Sequence, residues 1–280
     1  MSLRMSRTQT TQQQRMGRSF VVRSMELYDE HASPVVVFDD FRVSGRPFGP
    51  HPHAGVTALS YIFEDSVGSL RNRDSMGHHL VLGPGSICCL QSSAGAMHEE
   101  IPAKLGEELH GLQVFVNLSE KNKHNPPQSL WLDGAKVPEW SNARGDRVRV
   151  AMGAYQGVAS PLQPVEPFDV LDVDLKSEIP LDLAVDHNAV VYVSSGTAAI
   201  RAGAEERTLE MGQGLVLSGS GRASLKAVGA ARLIIVSGAT IPEPVVVGGP
   251  FIMTSRAEID DAGRRFQAGE MGHLSPYAEG

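Results

Sequence analysis

Short stretches in which apolar and polar residues alternate, or in which β-branched residues dominate, recur along this chain of 280 residues. Such alternation buries one face of an extended segment, so it predicts β-strands. Clusters of Gly, Pro, Asn and Asp between the stretches predict turns, and the whole pattern predicts an all-β protein. The clearest stretches are residues 35–43, 56–64, 86–90, 111–118, 147–152, 168–175, 189–194, 215–218 and 231–237.

A polar, proline-containing region separates two halves that have similar sequence patterns. Residues 119–128 and 134–146 have the composition of a connection between domains. The segment "ALSYIF" in the first half resembles "AVVYVS" in the second, and "GPGSI" resembles "GQGLV". This repeat predicts two stacked antiparallel β-barrels, formed by residues 1–145 and 146–280.

The end of the chain predicts one amphipathic helix packed on a barrel. Ser255 and Glu258 have the spacing of a capping box at a helix start. Ile259 and Ala262 recur at helical spacing, and Gly269 supplies a stop.

Composition and charge exclude several classes of protein. Hydrophobic residues make up 41% of the chain and charged residues 20%, which is typical of a globular protein. No run of 18 apolar residues occurs and no secretory signal is evident, so we expect a cytoplasmic protein without a membrane span. The net charge of −7 argues against nucleic acid as a direct partner. The adjacent Cys88 and Cys89 would point to opposite faces of a strand, so we expect reduced packing residues.

Two pairs of side chains carry the chemical signal. His51 and His53 are two residues apart, as are His98 and Glu100 in "GAMHEEIP", so each pair can share one face of a strand while Glu99 turns away. Three neutral imidazoles and one carboxylate suit a divalent transition metal such as iron, nickel, copper, manganese, cobalt or zinc. A six-coordinate ion held by these four ligands keeps two positions for substrate, water or dioxygen.

The alternative is that the histidines are hydrogen-bonded residues at a loop-strand junction, as isolated His-x-His motifs often are. The second pair on the same face favours the metal site. In the second half the positions equivalent to His51 and His53 hold Asp182 and Ala184. We therefore expect ligands in the first barrel only.

The segments "PFGPHPHAG", "VTALSYIFE", "RDSMG", "GPG", "GAMHEEIP", "HGLQVFVNL", "HNAVVYV" and "GGPFIMTSRAEIDDAGRRFQAGEMG" together resemble the pirin family of the cupin superfamily, across nearly the whole chain. The resemblance implies a bicupin fold with a metal in the N-terminal barrel. It also implies that the ligands are His51, His53, His98 and Glu100.

Members of that family bind iron, and several cleave the flavonol quercetin with dioxygen, as quercetin 2,3-dioxygenases. The resemblance thus implies Fe(II), a flavonol or similar enolic small molecule as substrate, and Glu100 as catalytic base as well as ligand. Other members are regulators that act through protein partners. A non-enzymatic, metal- or redox-dependent regulatory protein is therefore the alternative function.

Three residues depart from the family pattern. Family members commonly have Arg and Glu in "HPHRGFE" where this chain has Ala54 and Thr57, and an aromatic residue where it has Cys89. We expect these three side chains to lie in the pocket wall and to change what the pocket recognises.

Overall fold

The computed structural model describes residues 3–27 and 32–278. In chain order the strands of the first half are β1 (Arg4–Met5), β2 (Gln9–Thr10), β3 (Gln13–Met16), β4 (Phe20–Ser24), β5 (Val35–Val43), β6 (His51–His53), β7 (Val56–Ile62), β8 (Leu70–Asp74), β9 (His79–Leu82), β10 (Ile87–Gln91), β11 (Ala96–Pro102), β12 (Leu109–Asn117) and β13 (Gln128–Leu132). Those of the second half are β14 (Glu139–Ser141), β15 (Arg147–Met152), β16 (Ala154–Tyr155), β17 (Val158–Ala159), β18 (Phe168–Leu175), β19 (Glu178–Ala202), β20 (Glu205–Glu210), β21 (Gln213–Ala239), β22 (Val246–Gly248) and β23 (Phe251–Met253). The α-helices are α1 (Glu120–Lys123) and α2 (Arg256–Gln267), and a 3-10 turn spans Gly134–Lys136.

The first barrel is closed by two sheets that face each other. One has the strand order β13-β10-β7-β12-β5-β4-β3, and the other has the order β6-β11-β8-β9. Apolar side chains from both sheets, among them Val43, Ile62, Leu70 and Leu82, meet between them. Strand β13 lies between the two segments predicted to be a connection, and it belongs to this barrel because it pairs with β10.

The second barrel is built around two long, bent strands. The main sheet has the order β14-β15-β18-β21-β19-β20. Strand β19 pairs with both arms of β21, so that Val191 lies opposite Leu215 on one side and Ile235 on the other. These three residues belong to the core inside this barrel. The predicted all-β architecture of two stacked antiparallel barrels followed by a helix is confirmed.

Each end of the described chain packs on the barrel formed by the other half of the chain. Strands β1 and β2 pair with β21 of the second barrel. The hairpin of β22 and β23 returns to the first barrel, where Phe251 bridges to Ala54. A boundary between domains near residue 145 stays a prediction.

Helix α2 has the predicted caps and the predicted buried face. The Ser255 hydroxyl accepts a hydrogen bond from the backbone N–H of Glu258, and Gly269 follows the helix with a φ of 79°. Ile259 and Ala262 are buried against Ala54 of the first barrel. No helix within the described ranges is long and apolar enough to cross a membrane.

The barrels meet through a reciprocal pair of hydrogen bonds. The Tyr61 hydroxyl donates to Asp172 of the second barrel at 2.6 Å, and the Tyr192 hydroxyl donates to Asp40 of the first at 2.9 Å. Tyr61 and Tyr192 are the equivalent tyrosines of the predicted repeat, and both are buried in the core shared by the two sheets. Burial, reinforced by the Asp172 carboxylate, raises the pKa of Tyr61, so its hydroxyl keeps the proton that it donates.

We expect Tyr61→Phe to lower the free energy of unfolding by about 1.5–3 kcal/mol, because a hydrogen bond to a charged acceptor is lost in a buried interface. Tyr155→Phe is the matched control, since the Tyr155 hydroxyl donates to the neutral carbonyl of Pro180 within one barrel. We expect about 1 kcal/mol for the control in urea unfolding. Equal losses for the two variants would contradict a special role of the interface.

Candidate metal centre

The pairing of β6 with β11 brings three histidines together on one face. His98 lies directly opposite His51, and Ala96 lies opposite His53. The three imidazole rings have centroid separations of 4.6, 4.9 and 5.0 Å. One ring nitrogen from each lies within 4.8 Å of the other two.

Backbone carbonyls set the orientation of two of these rings. His51 Nδ1 is 2.9 Å from the carbonyl oxygen of Gly49, and His53 Nδ1 is 3.3 Å from that of Pro250. A carbonyl oxygen only accepts hydrogen bonds, so both Nδ1 atoms carry the proton and both Nε2 atoms present a lone pair.

The spacing of the nitrogens fits a shared ion. His51 Nε2 and His98 Nε2 are 3.1 Å apart. Two nitrogens that bind one ion at about 2.1 Å and at right angles are about 3 Å apart. Since imidazole suits Zn, Cu, Fe and Ni, the cluster has the donor set and the spacing for a divalent transition metal.

Burial keeps two of the rings neutral. His53 and His98 are almost fully buried. Desolvation is the largest cause of both pKa shifts. It lowers the pKa of His98 to about 3 and the pKa of His53 well below its usual value. The neighbouring imidazoles lower both pKa values further. Neutral imidazole is the form that binds metals, so these rings are ready for an ion near neutral pH.

Glu100 lies beside the histidine cluster but is not in it. Its carboxylate accepts hydrogen bonds from Ser60 Oγ at 2.7 Å, Asn72 Nδ2 at 3.1 Å and Cys88 Sγ at 3.4 Å. Among the residues that the structure describes, the potential ligand atoms within 4.8 Å of one another come from His51, His53 and His98. The role of Glu100 as fourth ligand stays a prediction.

Glu99 turns to the other face of β11, as strand alternation predicts. Its carboxylate forms an ion pair with Arg73 and accepts a hydrogen bond from the backbone N–H of Tyr277. The Arg73 guanidinium also lies 5.2 Å from the centre of the Tyr277 ring. Glu99 therefore fastens the end of the described chain to the outside of the barrel.

A cavity of about 640 Å³ opens beside the cluster. His51 and Glu100 both line it, and most of the other lining side chains are apolar. Met16 and Phe48 are about half exposed at its mouth. A small molecule in this cavity can therefore reach the candidate metal centre from solvent.

The expectation that Ala54, Thr57 and Cys89 form part of the pocket wall is wrong. None of them lines the cavity. Cys89 packs in the core between the barrels and pairs with Leu59, which belongs to the same core, and Thr57 has the same orientation along β7 as Leu59. Ala54 is covered by the hairpin of β22 and β23.

Both cysteines are free and buried. Cys88 faces Glu100, whereas Cys89 faces the second barrel. Burial raises the pKa of both thiols, so they stay protonated. The expectation of reduced packing residues agrees with this placement.

A buried lysine, which no local sequence pattern predicts, binds two backbone segments beside the site. Lys123 is fully buried, and its ammonium donates to the carbonyl oxygens of Gly55 at 2.7 Å and Ile252 at 2.9 Å. Burial lowers the pKa of this amine to about 8. A side chain at Gly55 would overlap the Ile252 carbonyl, because its Cβ would lie 1.9 Å from that oxygen. Pro250, which accepts the hydrogen bond from His53, lies in the segment held in this way.

The fold and the site together define a two-barrel β protein with a candidate metal centre in its first barrel. The family model described as "Pirin" matches residues 2–116, and the model described as "Pirin C-terminal cupin domain" matches residues 170–272. Together with a relative that is 32% identical over 271 residues, these matches show that the chain belongs to the pirin family.

Two relatives illustrate the family. A Pseudomonas aeruginosa protein named "Putative quercetin 2,3-dioxygenase PA2418" is 32% identical over 271 residues, which cover 91% of this chain and 93% of that protein. Human Pirin is 29% identical, with 83% of this chain and 81% of that protein covered.

Solved structures share the fold. A quercetin 2,3-dioxygenase from Acinetobacter baumannii has a TM-score of 0.86 at 23% identity, with 98% of this chain and 100% of that chain covered. A bacterial pirin from Escherichia coli in complex with nickel(II) has a TM-score of 0.64 at 18% identity, with 82% and 96% covered.

We expect the wild-type protein to hold about one transition-metal ion per chain and His98→Ala to hold less than about a tenth of an ion, because two imidazoles make a much weaker site. His187→Ala is the matched control, since His187 lies in the second barrel and contacts the carbonyl of Val185. Elemental analysis after purification without added metal is the measurement. Equal metal content in all three proteins would contradict a metal site that contains His98.

We also expect the metal-free protein to lose stability on acidification. The folded-state pKa of His98 is lowered to about 3, so this ring contributes its full stability above the unfolded pKa and loses it as the pH falls. Between about pH 7.5 and about pH 5, one such histidine lowers the free energy of unfolding by about 2 kcal/mol. Urea unfolding should show a smaller decrease for His98→Gln, and an equal decrease would contradict the buried neutral ring.

Proposed function

We propose that this protein is a metal-dependent dioxygenase that cleaves a flavonol, or a similar enolic small molecule, in the manner of quercetin 2,3-dioxygenases. The observation that carries the proposal is that His51 belongs both to the three-histidine cluster and to the wall of a cavity large enough for such a molecule. The name of the Pseudomonas relative supports the same reaction class.

In this proposal His51, His53 and His98 hold the metal, with Glu100 as fourth ligand. We propose Fe(II), although nitrogen and oxygen ligands also suit nickel, copper, manganese, cobalt and zinc. When bound, the ion supplies positive charge that favours the ionised form of an enolic hydroxyl, and open positions for small ligands.

Glu100 is the proposed base. Its carboxylate lines the cavity, so it can accept the proton of a substrate hydroxyl that is placed beside His51. The donors Ser60 and Asn72 bind its two oxygens and fix their direction. To act both as ligand and as base, the carboxylate would have to loosen from the metal during the reaction, since a firmly coordinated carboxylate is a poor proton acceptor.

The apolar walls can orient an aromatic substrate. Phe20 contacts Phe41 and Phe48 at ring-centroid distances of 6.1 and 5.3 Å, and all three rings line the cavity. Flat aromatic molecules pack well on such rings. A ligand packed on these rings would displace water, which strengthens the electrostatic contacts at Glu100.

We expect the iron-loaded protein to bleach quercetin in air, and Glu100→Gln to lower kcat/KM by about 100-fold or more, because the amide cannot accept the proton. Glu99→Gln is the matched control: it makes the same change one residue away, on the opposite face, and should stay near wild type.

If the protein binds each candidate metal fully but turns over no flavonol, the proposed dioxygenase activity is contradicted. The regulatory alternative predicts that result. Equal activity of Glu100→Gln and wild type would contradict the role of Glu100 while leaving the reaction in place.

A further inference from the structure

Asp39 is a carboxylate in the mostly apolar wall of the cavity. It lies on β5, where Phe38 and Asp40 point to the second barrel and contact Tyr192. Asp39 points the other way and lines the cavity with Phe41.

No cation forms an ion pair with Asp39 within residues 3–27 and 32–278, and no charged group shifts its pKa. Burial is the largest cause that shifts the pKa of Asp39 and raises it, while the nearby Ser24 hydroxyl lowers it. A partly buried acid without a cation partner costs free energy, so a contact with a ligand is a physical reason for its presence.

A row of polar side chains connects Asp39 to the proposed base. Asp39 pairs with Gln113, and Gln113 pairs with Ser60, on the adjacent strands β5, β12 and β7. Ser60 in turn donates to Glu100. Two spacings between strands separate Asp39 from Ser60 by about 10 Å. This distance joins the backbones of the two residues, and a ligand that contacts both Glu100 and Asp39 extends along this row of strands.

Asp39 has unused acceptor positions at the end of this row. The Gln113 amide donates to the carbonyl of Leu59 at 2.8 Å, and its Oε1 lies 3.2 Å from Ser60 Oγ, whose single proton is donated to Glu100. An ionised carboxylate has about four acceptor positions, and among the described residues Ser24 is the one side chain that favours the ionised form of Asp39. Asp39 can therefore accept further hydrogen bonds from a molecule in the cavity.

The surroundings favour an aromatic ligand. Phe20, Phe41 and Phe48 line the cavity on the same side as Asp39. Gly111, on β12 opposite Phe41, has no side chain, and a Cβ there would lie 2.6 Å from the Phe41 ring. The glycine thus leaves room for the ring that forms this wall.

We propose that Asp39 is a specificity-determining residue that accepts a hydrogen bond from a phenolic hydroxyl at the far end of an aromatic ligand, while the near end lies at His51 and Glu100. The choice of flavonols as ligands rests on the proposed function. A carboxylate accepts hydrogen bonds and repels anions, so the subsite selects a hydroxylated ring over a bare or anionic one.

The test is equilibrium binding of two flavonols to the metal-loaded protein without oxygen. Quercetin has two hydroxyls on its pendant ring, and galangin has none. We expect wild type to bind quercetin about tenfold more tightly, because a hydrogen bond to a charged acceptor is gained. Asp39→Leu should bring the two affinities together by weakening quercetin binding alone.

Two variants control for folding. Asp39→Asn keeps the size and one acceptor oxygen, and should retain part of the preference for quercetin. Asp260→Leu makes the same change as Asp39→Leu on the exposed face of α2, and should keep the whole preference. Thermal unfolding and metal content establish that each variant is intact.

Equal affinities in wild type, a full preference for quercetin in Asp39→Leu, or no binding of either flavonol would overturn the proposal. Because the measurement needs no turnover, it separates this inference from the proposed reaction. A preference for quercetin that depends on Asp39 supports the subsite even if neither flavonol is cleaved.

Discussion

The register between β6 and β11 is the constraint on which the site depends. Antiparallel pairing sets His98 opposite His51, and the two-residue period adds His53 to the same face. A shift by one residue would turn the side chains of one strand to the other face and would separate the rings. Two contacts from outside these strands fix the His53 ring. The Pro250 carbonyl accepts a hydrogen bond from His53, and Lys123 binds the segment that contains Pro250.

The second barrel supports the first without repeating its ligands. The paired hydrogen bonds of Tyr61 and Tyr192 lock the two sheets face to face, and the core between them contains side chains from both barrels. The exchanged chain ends add to this connection, since each end of the described chain lies on the barrel of the other half. Asp182, the expected counterpart of His51, forms an exposed ion pair with Arg222.

Much of the fold and the core of the site could be predicted because they follow from local periodicity. Alternation alone placed His51 and His53 on one face and separated Glu100 from Glu99. The capping box of α2 is also local, and it lies where the sequence predicts it. The repeat around Tyr61 and Tyr192 pointed to two barrels.

Contacts between distant parts of the chain could not be predicted in this way. Alternation shows that Cys88 and Cys89 face opposite sides, but it does not show which side holds the cavity, and the expectation for Cys89 was wrong for that reason. Ser60 is 40 residues from Glu100, and Lys123 is 129 residues from Ile252. A lone lysine in a polar stretch gives no local signal of burial.

The most direct test of the account is a crystal structure of the metal-loaded protein, with anomalous diffraction measured at the absorption edge of the bound ion. The account predicts one ion in the first barrel, at about 2.1 Å from the Nε2 atoms of His51, His53 and His98. An ion bound elsewhere, or one bound through fewer than these three nitrogens, would contradict it.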